Sequence, residues 1–248
     1  MEPIALAVIG GTGVYKLAQL DDVNSHVVET RYGTPSGPIR VGTLLGQRVA
    51  FLARHGEGHS LPPHKINYRA NLAALQQIGA TRVLALNTVG GITEQFGPRV
   101  LACPDQIIDY TWGRSSTYFE GPGSPVNHID FTEPYSRGLR KRILDAAAAV
   151  GERITDGGVY AATQGPRLES AAEINRLERD GAHIVGMTGM PEAALAREIN
   201  LEYATIAVVA NYGAGRGDSE HAVPLDKIQA VLDEAMGRVR RIIEKLCE

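Results

Sequence analysis

The chain has 248 residues, 44% of them hydrophobic and 21% charged, and its 25 Lys and Arg face 28 Asp and Glu for a net charge of −3. That apolar fraction, with so little net charge to oppose collapse, predicts one globular domain over 1–248 and excludes a disordered chain. A basic excess of the kind a nucleic-acid partner requires is missing.

Cys103 and Cys247 lie far apart, one before Pro104 and one beside the last residue, so neither a disulfide framework nor a thiolate metal site is expected. The opening MEPIALAVIGG has no basic stretch before its apolar run. No window approaches the roughly 18 apolar residues of a membrane span. A cytoplasmic protein without a membrane partner is expected.

The apolar run at 4–9 ends in Gly10-Gly11-Thr12-Gly13, which predicts a buried strand entering a tight glycine turn. A second strand is predicted over 48–53, running into the polar loop Arg54-His55-Gly56-Glu57-Gly58-His59. Leu72, Leu75 and Ile78 mark one face of a helix that Gly79 stops, and a strand over 82–86 leads into Asn87-Thr88-Val89-Gly90-Gly91. Further on, the pattern predicts a helix over 135–150, a strand over 159–163, a helix over about 169–180 and a short strand over 183–187. Pro191 opens a helix reaching about Asn200, a strand follows over 203–210, and the last helix covers about 224–246. Strands alternating with helices predict an α/β fold, a central mainly parallel or mixed sheet flanked by helices. Ligands of such sheets sit beyond the strand ends, which directs attention to Thr12, Arg54, His55, Asn87, Thr88, Glu169, Met187, Thr188 and Asn211.

The glycine turn at 10–13 suits a phosphate, since its backbone N–H groups can approach an anion and Thr12 adds a hydroxyl, but a purely structural turn reads equally well. It lacks the GK[ST] of a Walker loop, and Lys16 stands where a dinucleotide fingerprint needs its third glycine. Arg54 and His55, with the hydroxyls of Thr12, Thr88 and Thr188 at other strand ends, form a compact set of anion donors; a surface ion pair is the alternative for Arg54. His55, His59 and His64 crowd together without matching a zinc spacing. Glu169 and Asn211 are the most informative pair: a carboxylate accepts without donating, an amide does both, and together they match the N1–H, O6 and N7 edge of a 6-oxopurine. Adenine would turn a lone pair at N1 toward the carboxylate. The alternative for Glu169 is a first-turn carboxylate stabilising its helix.

Taken in order, IGGTG (9–13), ARHGEGH (53–59), NYRAN (67–71), HIDFTEPY (128–135), QGPR (164–167), GMTGMPE (186–192) and EHAVPLD (220–226) resemble the trimeric purine nucleoside phosphorylase superfamily, most closely its methylthioadenosine phosphorylase branch, over nearly the whole chain. The resemblance implies phosphorolysis of the N-glycosidic bond of a purine nucleoside, with inorganic phosphate as co-substrate and no metal or organic cofactor. It implies phosphate binding by Thr12, Arg54, His55, Thr188 and the backbone at Thr88, ribose contact by Met187, and base contact by Glu169 and Asn211. His59, with His128 contributed from a neighbouring subunit of a homotrimer, would stand near the 5′ end, and Asn211 and His55 would be the catalytic groups.

The sequence departs from that branch at the base. Positions 211 and 213 typically carry Asp and position 169 Ser, where this chain has Asn211, Gly213 and Glu169; Glu and Asn at these places resemble the 6-oxopurine-specific phosphorylases. Leu168 occupies a position usually held by Phe. On the 5′ side Val223, Leu225 and Ile228 are apolar and suit a methylthio group, although helix packing alone also explains them. The expected substrate is 5′-methylthioinosine, with 5′-methylthioadenosine or plain inosine and guanosine as alternatives. The glycine-rich loop over 213–218 is expected to order on ligand binding.

Overall fold

The computed structural model of the chain describes residues 3–11 and 20–248. Three strands built from apolar runs lie side by side: β1 (Leu6–Gly10), β4 (Gln47–Ala53) and β5 (Arg82–Gly91), with β1 parallel to both neighbours. An antiparallel hairpin-like edge, β2 (Asp21–His26) and β3 (Ile39–Leu44), continues the sheet beyond β4. After β5 come β6 (Leu101–Cys103), β7 (Gln106–Asp109), β8 (Thr155–Asp156), β9 (Val159–Ala162), β10 (Ile184–Gly186) and β11 (Glu202–Tyr212). Among the described residues all eleven strands join one mixed sheet, ordered β2-β3-β4-β1-β5-β10-β9-β7, with β11 on β5 and the short β6 and β8 beyond it.

Side chains alternate across the sheet, as the two-residue period of a strand requires. In β5, Val83 and Ala85 enter one core while Leu84 and Leu86 enter the other. The first core is closed by α1 (Tyr68–Gln77) and α4 (Gly189–Glu198) through Leu72, Leu75, Leu195 and Ala196. The second is closed by α2 (Arg137–Ala149) and α5 (Leu225–Leu246) through Leu139, Ile143, Val239, Ile242 and Ile243. A smaller cluster seats α3 (Ala171–Arg179) by Ile174 and Leu177.

The helix limits follow from local chemistry. Asn67 and Ser136 cap α1 and α2 by accepting from the N–H groups of Ala70 and Leu139. Gly79 and Gly151 follow these helices with φ of 93° and 72°, a region that glycine enters without a Cβ clash. Helix α3 starts later than the sequence predicts: Ser170 is its cap, so Glu169 lies outside the helix. The strand predicted to stop at residue 86 runs on to Gly91, because β11 pairs with it along that whole length.

Candidate active site

The crevice comes from how β5 is shared. One edge is occupied throughout by β11, while the other pairs with β1 over Val83–Ala85 and then with the antiparallel β10 at Gly90 and Gly91. Among the described residues, 86–89 therefore have no strand partner on that edge, where β1 ends and a strand of opposite direction begins. A cavity of about 490 Å³ opens there, a size suited to a small molecule. It brings together Arg54, His55, His59, Thr88, Glu169, Met187, Thr188, Asn211, Val223 and Ile228 from segments far apart in the chain.

Arg54 and His55 follow β4, and neither matches the simple picture of a cationic donor. Arg54 is fully buried: its Nε and Nη2 donate to the two oxygens of Glu192 at 2.7 and 2.8 Å, Nη2 also reaches the Ile9 carbonyl at 3.3 Å, and Nη1 the Leu86 carbonyl at 3.0 Å. Four of its five N–H groups are thus engaged within the protein, leaving one on Nη1 for a ligand. Burial alone would lower the guanidinium's pKa, but the Glu192 charge and its hydrogen bonds outweigh this and hold Arg54 above its ordinary value. Glu192 is buried as well and accepts a third bond, from the Tyr203 hydroxyl at 2.8 Å. The pair is therefore neutral as a unit.

His55 points Nδ1 at the Leu61 carbonyl, 2.9 Å away, and stacks on His59 with ring centroids 4.3 Å apart. A carbonyl only accepts, so Nδ1 carries the hydrogen and Nε2 keeps its lone pair. Burial, opposed by the Leu61 bond and reinforced by the neighbouring Arg54 charge, lowers its pKa to about 4. At neutral pH His55 is thus an uncharged ring whose Nε2 accepts, a correction to its expected place among the donors. Among the described residues no three or more His, Cys, Asp or Glu gather in a way that could hold a metal ion. The expected anion contact at Thr12 lies outside the described residues.

Thr188, at the end of the segment joining β10 to α4, is buried and accepts from the Asn87 amide at 2.8 Å. Thr88 is exposed within β5 and lines the same wall.

At the other side stand the two base-reading candidates. Glu169 precedes the cap of α3, so its carboxylate is not engaged at the helix start; instead Oε1 accepts from the Thr163 hydroxyl at 2.6 Å, leaving Oε2 for a ligand. The pairing of β11 with β5 shifts between Val209 and Asn211, a bulge that inserts one residue just before the amide and re-aims it. One hydrogen of Asn211 Nδ2 goes to the Tyr212 carbonyl at 2.6 Å, which leaves one N–H and the amide oxygen available. Gly90 keeps this corner open, since a Cβ there would come within 3.6 Å of Asn211 Nδ2 and 3.2 Å of Val185.

Met187, Val223, Ile228, Pro166 and Leu168 supply apolar wall, and His59 lies at its rim. Leu225 does not line the cavity: as the first residue of α5 it stands 64% exposed. His128 is exposed in a stretch without regular structure and is not among the residues that line the cavity. In the 213–218 loop Gly213 N–H donates to Gly91 O at 2.7 Å, and Arg216 donates to Asn175 at 2.8 Å and Glu178 at 2.6 Å.

Several residues that shape the site carry no motif signal: Thr163, Thr205 and Arg114 become visible only in three dimensions, and Glu192, although it ends the GMTGMPE motif, shows its partner Arg54 only there. Arg114 is half-buried and donates to the carbonyls of Gln164, Met187 and Met190 at 2.8, 2.8 and 2.6 Å, fastening together the segments that present Glu169 and Thr188.

The chain matches the model of the phosphorylase superfamily over residues 5–248. It is 66% identical over 243 residues to a protein of Xanthomonas campestris pv. campestris named "Probable S-methyl-5'-thioinosine phosphorylase", covering 98% of this chain and 97% of that one. It is 46% identical over 215 residues to a "6-oxopurine nucleoside phosphorylase" of Pyrococcus furiosus, covering 85% and 80%. Among solved structures it is similar to a methylthioadenosine phosphorylase from an antarctic soil metagenomic library, with a TM-score of 0.92, 34% identity and 99% and 86% of the two chains covered. A methylthioadenosine phosphorylase from Schistosoma mansoni in complex with adenine gives a TM-score of 0.91 at 30% identity, covering 98% and 91%. With the crevice at the split of its sheet and a sequence match running from residue 5 to the last, the chain belongs to the phosphorylase superfamily.

Proposed function

We propose that this chain catalyses the phosphate-dependent cleavage of a 6-oxopurine nucleoside, with 5′-methylthioinosine as its preferred substrate, giving hypoxanthine and 5-methylthioribose 1-phosphate. The observation that carries this reading is the pairing, on one cavity, of a carboxylate with a free oxygen and an amide with a free N–H and a free oxygen, Glu169 and Asn211. Glu169 Oε2 suits the N1–H of a 6-oxopurine, whereas the N1 lone pair of adenine would meet a negative charge. An unpaired polar group in such a pocket costs on the order of 1–3 kcal/mol. Val223 and Ile228 suit a thioether better than a hydroxyl, and the names borne by similar proteins support both halves of the reading.

A phosphate oxygen attacks C1′ as the C1′–N9 bond breaks, its electron pair passes to the purine, and the purine anion takes up the proton that the hydrogen phosphate gives up, leaving hypoxanthine and the sugar 1-phosphate. The remaining Asn211 N–H donates to N7, where charge grows, and the phosphate, held by Thr188, the Thr88 backbone and one Arg54 N–H, supports the positive sugar. Neutral His55 accepts at Nε2 from the protonated oxygen of hydrogen phosphate, which fixes the anion's orientation. Thr12 belongs to the same phosphate set. Phosphate is the second substrate and no further cofactor is needed. The enzyme works in the cytoplasm as a homotrimer, with His128 reaching a neighbour's site.

The test is release of free base from 5′-methylthioinosine, inosine, guanosine and 5′-methylthioadenosine, with and without phosphate, by the wild type and by Asn211→Asp. We expect hypoxanthine from 5′-methylthioinosine to appear fastest and only with phosphate, and the variant to shift toward the 6-amino substrate. Faster adenine release by the wild type, or an unshifted variant, overturns the assignment of the base pocket.

A further inference from the structure

A chain of three buried polar side chains lies behind the anion end of the cavity. The Thr205 hydroxyl, on β11, donates to Asn87 Oδ1, on β5, with the Ala85 carbonyl as a second, longer acceptor at 3.1 Å; Asn87 Nδ2 donates to Thr188 Oγ1 at 2.8 Å. Exposures of 1%, 3% and 7% place Thr205, Asn87 and Thr188 in order from core to cavity wall. Thr205 and Asn87 meet because β5 and β11 run in parallel register, Thr205 opposite Ala85 and Ala207 opposite Asn87.

The direction of these bonds decides what the cavity meets. A hydroxyl has one hydrogen, and Thr188 uses a lone pair to accept from Asn87, so its hydrogen is left for a ligand. With the amide reversed, Thr188 would donate to the amide oxygen and turn lone pairs toward the cavity, repelling an anion. Thr205 favours the arrangement seen, because its one hydrogen goes to the amide oxygen, the nearer of the two acceptors it faces; the reversed amide would leave that hydrogen only the Ala85 carbonyl, 3.1 Å away. Direction matters here more than in a cationic site: the Arg54 charge is matched by Glu192 and His55 is uncharged, so an anion relies on oriented neutral donors.

We propose that Asn87 and Thr205 are positioning residues that hold the Thr188 hydroxyl as a donor to phosphate. The proposal rests on the phosphate-dependent reaction proposed above and adds to it a pair of residues that act through Thr188, Asn87 from the cavity wall and Thr205 from behind it.

Thr205→Val keeps the shape and removes the hydroxyl. It is expected to raise KM for phosphate about three- to tenfold, the range for one lost hydrogen bond, while KM for the nucleoside stays within about twofold. Thr205→Ser keeps the wild-type phosphate KM. In a Thr188→Val background, where there is no hydroxyl to orient, Thr205→Val changes phosphate KM no further. The proposal is overturned if Thr205→Val leaves phosphate KM unchanged, raises both KM values alike, or raises phosphate KM equally in the Thr188→Val background. Should Thr205→Val fail to fold, Asn87→Asp carries the same question: its carboxylate can only accept, so Thr188 donates to it, and the rise in Tm that phosphate gives the wild type should vanish. An undiminished rise overturns the proposal. A wild type that releases base equally well without phosphate defeats the proposed function itself, whereas strict phosphate dependence with an unaltered Thr205→Val defeats only the relay.

Discussion

Arg54 and His55 are adjacent in sequence and opposite in charge state, and burial explains both. Arg54 stays charged because Glu192 supplies a carboxylate in bidentate geometry, an arrangement that offsets the desolvation a lone guanidinium would suffer. His55 has no carboxylate partner among its contacts, so burial prevails and its pKa falls to about 4. The consequence for stability has a definite sign. Above about pH 6.5 the ring is neutral both folded and unfolded. As pH falls toward 4 the unfolded chain takes up a proton that the native ring refuses, so stability declines across that window. Replacing His55 by Gln removes this contribution: between pH 7 and pH 5 the wild type should lose more Tm than His55→Gln. Equal losses would show that the ring protonates normally in the folded state.

At the scale of elements, apolar runs marked strands and helices well, and polar or very short ones escaped. DDVNSH forms β2 although almost all of it is exposed, and its pairing with β3 has no apolar signature in the sequence. The two-residue β8 exists only through pairing with β6. The extension of β5 through Asn87 and Thr88 depends on β11, more than a hundred residues later, and no local pattern announces it. The start of α3 was legible in principle, because Ser170 and Glu173 form a capping box: Ser170 Oγ accepts from Glu173 N–H, and Glu173 accepts from Ser170 N–H at 2.7 Å. Arg167 and that backbone bond hold the Glu173 carboxyl at a pKa of about 2. This cap also fixes the residue before it, Glu169. Ser170→Ala should therefore cost about 1 kcal/mol of stability and raise KM for the nucleoside while sparing that for phosphate. An unchanged nucleoside KM would show that Thr163 alone positions Glu169.

At the scale of the whole molecule, the sequence revealed the surface of the site better than its support. Arg54 and Thr188 follow strands, Asn211 stands near the end of β11 and Glu169 just before α3, and all four carry recognisable chemistry, so residue type and position pointed to them. Glu192, Asn87 and Thr205 act through buried bonds across three elements, and their meaning depends on a register that only the folded sheet supplies.

Exposed apolar side chains also stand on the cavity wall and in the long connection before α2. Leu168 lines the cavity yet is 44% exposed, and Trp112 and Val126, in the long connection that also carries His128, stand 72% and 77% exposed. Apolar side chains left in water suit coverage by another copy, and the proposed trimer would supply one, bringing His128 toward a neighbour's 5′ pocket. Gel filtration should then show a trimer, and His128→Ala should keep that size while raising KM for 5′-methylthioinosine and leaving KM for phosphate unchanged, since the phosphate groups all come from within one chain. A fully active monomer would mean that each chain completes its own site, and the exposed apolar wall would then need a different explanation.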